Sequence, residues 1–247
     1  MKYPFTSRSL PWSSLGMGGL ALALRTWLYL TGVDRKGLLI PSHPATTLVF
    51  LLAALFLGTL LLCVLPLKRS APYPILFPRS AAAALGNVVG AAGILLSALS
   101  LLSHRENTVA LAAGYLGFPA AACLLFCGWC RWKGLRPSFV FHGIVTVFLL
   151  LYCICQYRVW SIDPQFGAYF FPLLGCALLM IYAYQRTALD FGIGNLQMFT
   201  FTGQAALFFC LAAIPDGNRI FFLTMALWCA ADTPSHPQPG GDSIASA

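Results

Sequence analysis

The sequence predicts an all-α protein, a polytopic bundle of about seven transmembrane helices, six long and one short, preceded by an N-terminal interfacial helix. The composition is 59% hydrophobic and 9% charged, with a mean hydropathy of +0.78, whereas about a quarter of the residues of a soluble domain are charged. Six intervals between charged residues exceed the roughly 20 residues that a helix needs to cross a ~30 Å hydrocarbon core. A spanning backbone must satisfy its own hydrogen bonds, so runs of this length predict helices.

The six long spans are delimited by charged residues. They lie between Lys36 and Lys68, Arg79 and Arg105, Glu106 and Arg131, Arg136 and Arg158, Asp163 and Arg186, and Asp190 and Asp216. A seventh apolar run, Ile220 to Ala231, has only twelve residues, which taken alone is typical of an interfacial or re-entrant segment. A helix that starts near Asn218 allows a thin crossing, and we predict that this run crosses the membrane.

Residues 1–43 are predicted to form an interfacial amphipathic segment. Between Leu10 and Leu30, apolar side chains recur at helical spacing beside a central Arg25, a pattern that favours a helix lying in the membrane surface. One alternative is an extra span that carries the cost of burying Arg25. The other is a signal peptide, indicated by Lys2, Arg8 and an A-x-A motif at residues 21–23. Residues 44–231 form the predicted bundle, and the Pro-, Gly- and Ser-rich residues 232–247 a disordered tail.

The net charge of +8 comes from basic residues in short interruptions between apolar runs. This distribution predicts the lipid bilayer, with its anionic headgroups, as the partner and excludes nucleic acid. The loops that hold Lys68, Arg79 and Arg131 are more basic than the opposite loops, which favours a cytoplasmic location for them. Seven crossings place the basic N-terminal segment on the other side and remove this bias, whereas an eighth crossing restores it. The orientation therefore stays open.

The stretch YRVWSIDPQF, residues 157–166, is the most polar junction between two long spans. The structural interpretation is a turn in which Asp163 caps the helix that starts at Pro164, while Arg158 pairs with it. The functional alternative is a polar pocket at the membrane face, formed by Arg158, Asp163 and Gln165.

A second candidate binding region lies in the C-terminal half, which is more polar than the N-terminal half. Its polar residues are Gln185, Arg186, Asp190, Asn195, Gln197 and Gln204. Arg186 and Gln204 are the candidates for lining a solute path. The alternative is that Arg186 and Asp190 form an i, i+4 pair on a helix that emerges from the membrane.

The second long span carries small residues at helical spacing. Gly86, Gly90 and Gly93 predict a groove that lets another helix approach closely, inside one chain or in a homo-oligomer. Asn87 is the expected donor of an interhelical hydrogen bond. Pro119 and Pro172 are expected to kink the third and fifth spans.

No catalytic residue, metal or cofactor is predicted. His104 and His142 fall at opposite faces of the predicted bundle, which excludes a haem held between them. Cys123, Cys127 and Cys130 form one helical stripe, for which packing is favoured over a soft metal site. P-loop, H-E-x-x-H and G-x-S-x-G motifs are absent from the sequence, and the six long spans contain no carboxylate.

Three stretches, RTWLYLTGVDRKGLLIPSHPA (25–45), YRVWSIDPQF (157–166) and GQAALFFCLAAIP (203–215), resemble a group of small multi-spanning membrane proteins of Gram-positive anaerobic bacteria. That group has no assigned activity. The resemblance implies a multi-pass protein of the bacterial plasma membrane and adds no chemistry.

The leading hypothesis for function is a non-enzymatic membrane subunit that binds a partner protein or a small ligand. The small-residue groove and the absence of catalytic motifs favour it. A small-solute transporter or permease is the first alternative, favoured by the polar C-terminal half and the proline-interrupted helices. A membrane enzyme that acts on a lipid-linked substrate through Arg158, Asp163 and Gln165 is the second.

Overall fold

The chain was analysed as a computed structural model, which describes residues 10–32, 43–67, 73–103, 108–161 and 169–232. These residues form α1 (Leu10–Thr31), α2 (Pro44–Val64), α3 (Tyr73–Leu76), α4 (Ala81–Ser103), α5 (Thr108–Lys133), α6 (Phe139–Trp160), α7 (Phe170–Phe191), α8 (Leu196–Ala213) and α9 (Arg219–Ala231). A 3-10 turn, Ile214–Asp216, joins α8 to α9. Within the described ranges there is no strand, and the predicted all-α helical bundle is confirmed.

Five helices are long and apolar enough to cross a membrane by length and composition. They are α2, α4, α5, α6, and α8 with its 3-10 turn, and they correspond to five of the six predicted long spans. The sixth, α7, has 22 residues but ends in a polar segment with Arg186 and Asp190, and it falls outside this set. Helix α9 begins at Arg219, next to the predicted start at Asn218, and has 13 residues. The membrane crossings of α7 and α9 stay predictions, as does the interfacial position of α1, for which a crossing was the alternative.

The bundle has two ends, named here after an aspartate at each. At the Asp232 end, α2, α5, α7 and α9 finish while α4, α6 and α8 begin. Gln197, in the first turn of α8, donates to the carbonyl groups of Leu65 and Leu67 after α2, at 2.9 and 2.7 Å. At the Asp216 end, α8 finishes and α9 begins.

Helix α1 lies along α8 and runs in the same direction. A Cβ placed on Gly18 would meet the Leu211 side chain at 2.7 Å and the Phe208 backbone at 3.4 Å, and two turns later Arg25 bonds to Asp216. The buried residues of α1 recur at helical spacing, namely Leu10, Ser14, Gly18, Ala21, Arg25 and Leu28. Helix α1 is thus packed as a bundle helix, and its position relative to a membrane surface stays a prediction.

The small-residue groove of α4 is filled within the chain by α9. A Cβ on Gly86 would lie 2.4 Å from the Cβ of Ala231, and a Cβ on Gly93 would lie 1.9 Å from the Thr224 hydroxyl. At Gly90, the nearest atoms belong to Trp228 of α9 and Leu124 of α5, each at 3.1 Å. The groove therefore serves packing inside this chain, one of the two alternatives left open by the sequence.

Asn87 makes the expected interhelical hydrogen bond, but with the opposite polarity. Its amide nitrogen donates to the Ala83 carbonyl of its own helix at 2.7 Å. Its amide oxygen accepts from the indole N–H of Trp228 on α9 at 3.2 Å. The predicted donor is the acceptor between the helices.

Two further predictions on the helices need correction. Pro172 lies in the first turn of α7, where the amide that proline lacks has no helical partner, so the predicted kink at Pro172 is wrong. Helix α6 continues to Trp160, so the first four residues of the stretch YRVWSIDPQF are helical and not part of the predicted turn. Pro119 lies inside α5, as predicted.

Part of the sequence-based division cannot be placed in the fold. Asp163 and Gln165, and residues 233–247 of the predicted tail, lie outside the described residues. Asp232, assigned to that tail from the sequence, has a buried side chain and belongs to the bundle.

We predict that Gly86→Ala lowers the free energy of unfolding by about 1–3 kcal/mol, because neither Cβ in the Gly86–Ala231 contact can rotate away. Chemical unfolding in mixed micelles measures the change. Adding Ala231→Gly should recover most of the loss. Gly58→Ala is the control, since an added Cβ at Gly58 meets nothing within 4 Å. A Gly86→Ala variant as stable as Gly58→Ala would contradict the packing of α9 in this groove.

Candidate functional site

Five charged or titratable side chains are buried together at the Asp232 end, where α5, α6, α7 and α9 meet. They are Arg131, His142, Arg186, Asp190 and Asp232, each between 0 and 4% exposed. We call them the Asp232 cluster. Charged groups are costly to bury in an apolar bundle unless they are paired, and in membrane proteins such groups are default candidates for function.

The carboxylate of Asp232 lies between two arginines. Its Oδ1 is 3.3 Å from Nε of Arg131 on α5, and its Oδ2 is 3.5 Å from Nε of Arg186 on α7. Tyr182 on α7 also donates to Oδ2, at 3.3 Å. One carboxylate that directly follows α9 thus holds the end of that helix against α5 and α7.

Asp190 extends the row of charges to α6. Its Oδ2 is 2.5 Å from Nδ1 of His142, and its Oδ1 is 3.9 Å from Nε of Arg186. Arg136 donates to the backbone carbonyl of Asp190 through Nε at 2.8 Å and also through Nη2. A cation at this position suits the C-terminus of α7, where carbonyl groups lack helical partners.

The short helix α3 and the residues after it cover the cluster. The guanidinium of Arg186 lies 3.6 Å from the centroid of the Phe77 ring, and that of Arg131 lies 5.1 Å from it. The Tyr73 hydroxyl accepts from Nη2 of Arg186 at 3.3 Å, and the Pro78 carbonyl accepts from Nη1 of Arg131 at 3.0 Å. Burial raises the pKa of Tyr73 to about 12, so its hydroxyl stays protonated.

Several buried donors of the cluster lack a hydrogen-bond partner among the described residues. They are Nε and Nη1 of Arg186, Nε of Arg131 and Nε2 of His142. The ion pairs that involve the two Nε atoms are therefore electrostatic contacts without hydrogen-bond geometry. An unsatisfied buried donor costs about 1–3 kcal/mol, and more when it is charged. Oδ1 of Asp190 and Oδ1 of Asp232 are buried without a hydrogen bond as well, and they face the two Nε atoms. The donors left without a facing carboxylate oxygen are therefore Nη1 of Arg186 and Nε2 of His142.

A second buried ion pair, at the Asp216 end, contrasts with this cluster. Arg25 of α1 bonds to Oδ1 of Asp216, and the Tyr29 hydroxyl donates to the same oxygen at 2.5 Å. The Arg25 guanidinium also lies 4.5 Å from the centroid of the Phe171 ring. One cation faces one anion here, and the pair fastens α1 to the turn between α8 and α9.

The structure does not bring the sequence-predicted site residues together. Arg186 lies in the Asp232 cluster and Gln204 is buried in α8, while Arg158 is exposed in the last turn of α6. Asp163 and Gln165 lie outside the described ranges.

Sequence reasoning missed Arg131, His142 and Asp232 as members of a site. They stand at or next to the predicted limits of spans, where a charge is taken for a solvated loop residue. A usable signal was the shortage of acids, 7 against 15 basic residues, which makes every carboxylate a candidate partner for a buried arginine.

The arrangement suits the binding of an anion better than catalysis. Buried guanidinium groups bind carboxylates and phosphates through paired N–H donors. The described residues contain no group of three or more side chains that could hold a metal ion. The Cys127 thiol lies 3.7 Å from His142 Nδ1, the same nitrogen that contacts Asp190, whereas a nucleophile relay uses opposite ring nitrogens.

We predict that Asp232→Asn lowers the free energy of unfolding by about 3–5 kcal/mol, because it removes the carboxylate that pairs with both buried arginines and leaves only Asp190 beside Arg186. Unfolding in mixed micelles provides the measurement. The control is Arg219→Gln, which removes an exposed charge and should change stability by less than about 0.5 kcal/mol. A loss below about 1 kcal/mol for Asp232→Asn would show that the two arginines do not depend on this carboxylate.

Comparison with known proteins assigns no function to the chain, so a functional assignment rests on the geometry of the Asp232 cluster. No family model, no curated protein and no solved structure matches the chain. The resemblance inferred from the three sequence stretches therefore stays a prediction.

Proposed function

We propose that this multi-pass membrane protein binds a small anionic ligand, a carboxylate or a phosphate, in the Asp232 cluster without catalysing a reaction on it. The observation that carries the proposal is the Nη1 group of Arg186, which is buried and has no hydrogen-bond partner. Arg131 lies across the shared Asp232 carboxylate from it. An anion beside Nη1 of Arg186 would supply the acceptor that this group lacks.

The balance of charge favours an anion over a cation. The two arginines of the cluster equal its two aspartates in number. Arg136 adds a third guanidinium, whose hydrogen bonds in this site go to the backbone oxygen of Asp190. His142 would add a further positive charge when protonated. A cationic ligand would be opposed by this net positive charge.

Helix α3 offers a route for entry. It has only four residues, too few to be stable without the packing around it. Tyr73 of α3 accepts a hydrogen bond from Arg186. Just after the helix, the Phe77 ring contacts the Arg186 guanidinium and the Pro78 carbonyl accepts from Arg131. Displacement of α3 would open the guanidinium groups toward the Asp232 end.

A protein partner is less well supported than a small ligand. The groove at Gly86, Gly90 and Gly93, which motivated a partner or a homo-oligomer, is occupied by α9. A second chain would have to displace α9, and with it the Asp232 carboxylate. The proposal therefore keeps the non-enzymatic binding role and assigns it to a small ligand.

We place the protein in the bacterial plasma membrane, with α1, α7 and α9 as further crossings. The Arg25–Asp216 bond supports a crossing by α1, since pairing offsets most of the cost of a buried arginine. Helix α9 lies in the groove of α4 and reaches Asp232 at the opposite end, which supports a crossing despite its length.

The binding proposal predicts that an anion raises the unfolding temperature of the protein in nanodiscs. A panel of carboxylates and inorganic phosphate at constant ionic strength, with chloride as reference, identifies the class. A ligand at one hundred times its Kd stabilises the folded state by about 2.7 kcal/mol. Arg186→Met should abolish the response, and Arg186→Lys should weaken it because the ammonium lacks the forked donors.

The control for this experiment is Arg219→Met, which removes an exposed arginine at the Asp216 end and should leave the response intact. Two results would contradict the proposal. One is no stabilisation by any anion of the panel, and the other is an equal response of wild type and Arg186→Lys.

A transporter or permease is the second candidate function, favoured by two polar groups inside α8. The Thr200 hydroxyl and the Gln204 side-chain oxygen are buried and lack hydrogen-bond partners in the described part of the chain. They lie one turn apart and form a short polar stripe in an apolar helix. A membrane enzyme that uses Arg158, Asp163 and Gln165 has no observation of the structure in its favour.

Solute flux into proteoliposomes tests the transport alternative. If α8 lines a path, Gln204→Leu and Arg186→Ala should each reduce flux by tenfold or more, on the order of 1.4 kcal/mol in the barrier. Gln156→Leu on α6 is the matched control and should transport as the wild type does. Equal flux in all four proteins would assign the polar stripe of α8 to structure.

A further inference from the structure

The exposed charges at the Asp232 end are all basic among the residues that the structure describes there. Arg79, Lys133 and Arg136 are exposed, and we call them the basic rim. The two acids of this end, Asp190 and Asp232, are buried in ion pairs and do not reach the surface. The rim therefore carries uncompensated positive charge.

The fold gathers the rim from separate segments. Arg79 precedes α4, Lys133 ends α5, and Arg136 lies in the short connection to α6. Gly134, with a φ of +74°, turns the chain after α5, and a Cβ on it would lie 3.6 Å from the Cβ of Arg79. The positive φ needed here is one that glycine adopts without strain.

Exposed aromatic side chains lie beside the basic rim. Trp129 and Trp132 are 50% and 47% exposed in the last two turns of α5. The Arg79 guanidinium lies 5.7 Å from the centroid of the Trp132 ring. Exposed indoles at the end of an apolar helix are typical of the headgroup region of a bilayer. The rim is thus placed at the depth of lipid phosphates.

We propose that the basic rim binds the phosphate of an anionic lipid headgroup. The charge of the rim complements that of phosphatidylglycerol, and the neighbouring indoles fit the boundary between headgroups and acyl chains. The sequence between α1 and α2, between α4 and α5 and between α6 and α7 differs, since Asp34, Glu106 and Asp163 accompany the basic residues there. Arg79 and Lys133, which the test below replaces, lie outside the Asp232 cluster, whereas Arg136 contacts it through the carbonyl of Asp190.

Nanodiscs of phosphatidylcholine, with and without added phosphatidylglycerol, test this site. Phosphatidylglycerol should raise the unfolding temperature of the wild type, and native mass spectrometry should show retained anionic lipid. The double variant Arg79→Gln/Lys133→Gln should lose at least half of the shift and of the retained lipid. Arg158→Gln/Arg219→Gln, the matched pair at the other end, should keep both.

Two further arms separate the lipid from a free anion and from misfolding. Inorganic phosphate in pure phosphatidylcholine discs should not reproduce the shift of the wild type through the rim. A phosphate response that survives Arg79→Gln/Lys133→Gln but disappears in Arg186→Met would come from the Asp232 cluster instead. The charge-conserving variant Arg79→Lys/Lys133→Arg should respond to phosphatidylglycerol as the wild type does. Equal shifts in wild type and both double Gln variants would overturn the proposal.

Discussion

The carboxylate of Asp232 is the point on which the end of the bundle depends. It faces Arg131 of α5 and Arg186 of α7 and directly follows α9, so three helices are joined by one anion. With 13 residues, α9 is about 20 Å long, short of a ~30 Å hydrocarbon core. The contact between α9 and the glycines of α4 sets the depth at which the helix lies. Asp232, which directly follows α9, is thereby brought to the two arginines, and pairing with its carboxylate makes their burial tolerable.

In both buried charge clusters the arginines are paired with carboxylates, which lowers the cost of burying them, but the two clusters have different roles. At the Asp216 end, Arg25, Tyr29 and Phe171 surround a single carboxylate, and the pair works as a fastener for α1. At the Asp232 end, two guanidinium groups share carboxylates, and Nη1 of Arg186 remains without a facing acceptor. Such a donor adds nothing to a structural ion pair, whereas it could bind an anion. The Asp232 cluster is therefore the basis of the proposed anion binding. The exposed basic rim is the basis of a separate proposal, the binding of lipid headgroups.

The sequence predicts the helices well and the charged site poorly, for physical reasons. Long uncharged runs determine helices because the backbone has no other way to satisfy its hydrogen bonds in lipid, and the small residues of α4 indicate a close helix contact. The partner of a charge, by contrast, is a property of the tertiary fold. Arg25 and Asp216 are 191 residues apart, and no local pattern connects them. Because Asp232 precedes a Pro- and Gly-rich segment, the sequence pattern assigns it to a tail. Because Arg131 lies close to Lys133 and Arg136 in the sequence, the pattern assigns it to a loop.

A double-mutant cycle between Arg186 and Asp232 tests most directly whether this shared carboxylate organises the bundle. The free energy of unfolding in mixed micelles is measured for wild type, Arg186→Met, Asp232→Leu and the double variant. The account predicts that each single change is strongly destabilising, while the double variant recovers about 1–3 kcal/mol relative to the sum of the two, because no uncompensated charge of this pair remains buried. Additive effects within about 0.5 kcal/mol would show that the two residues are independent and would contradict the account.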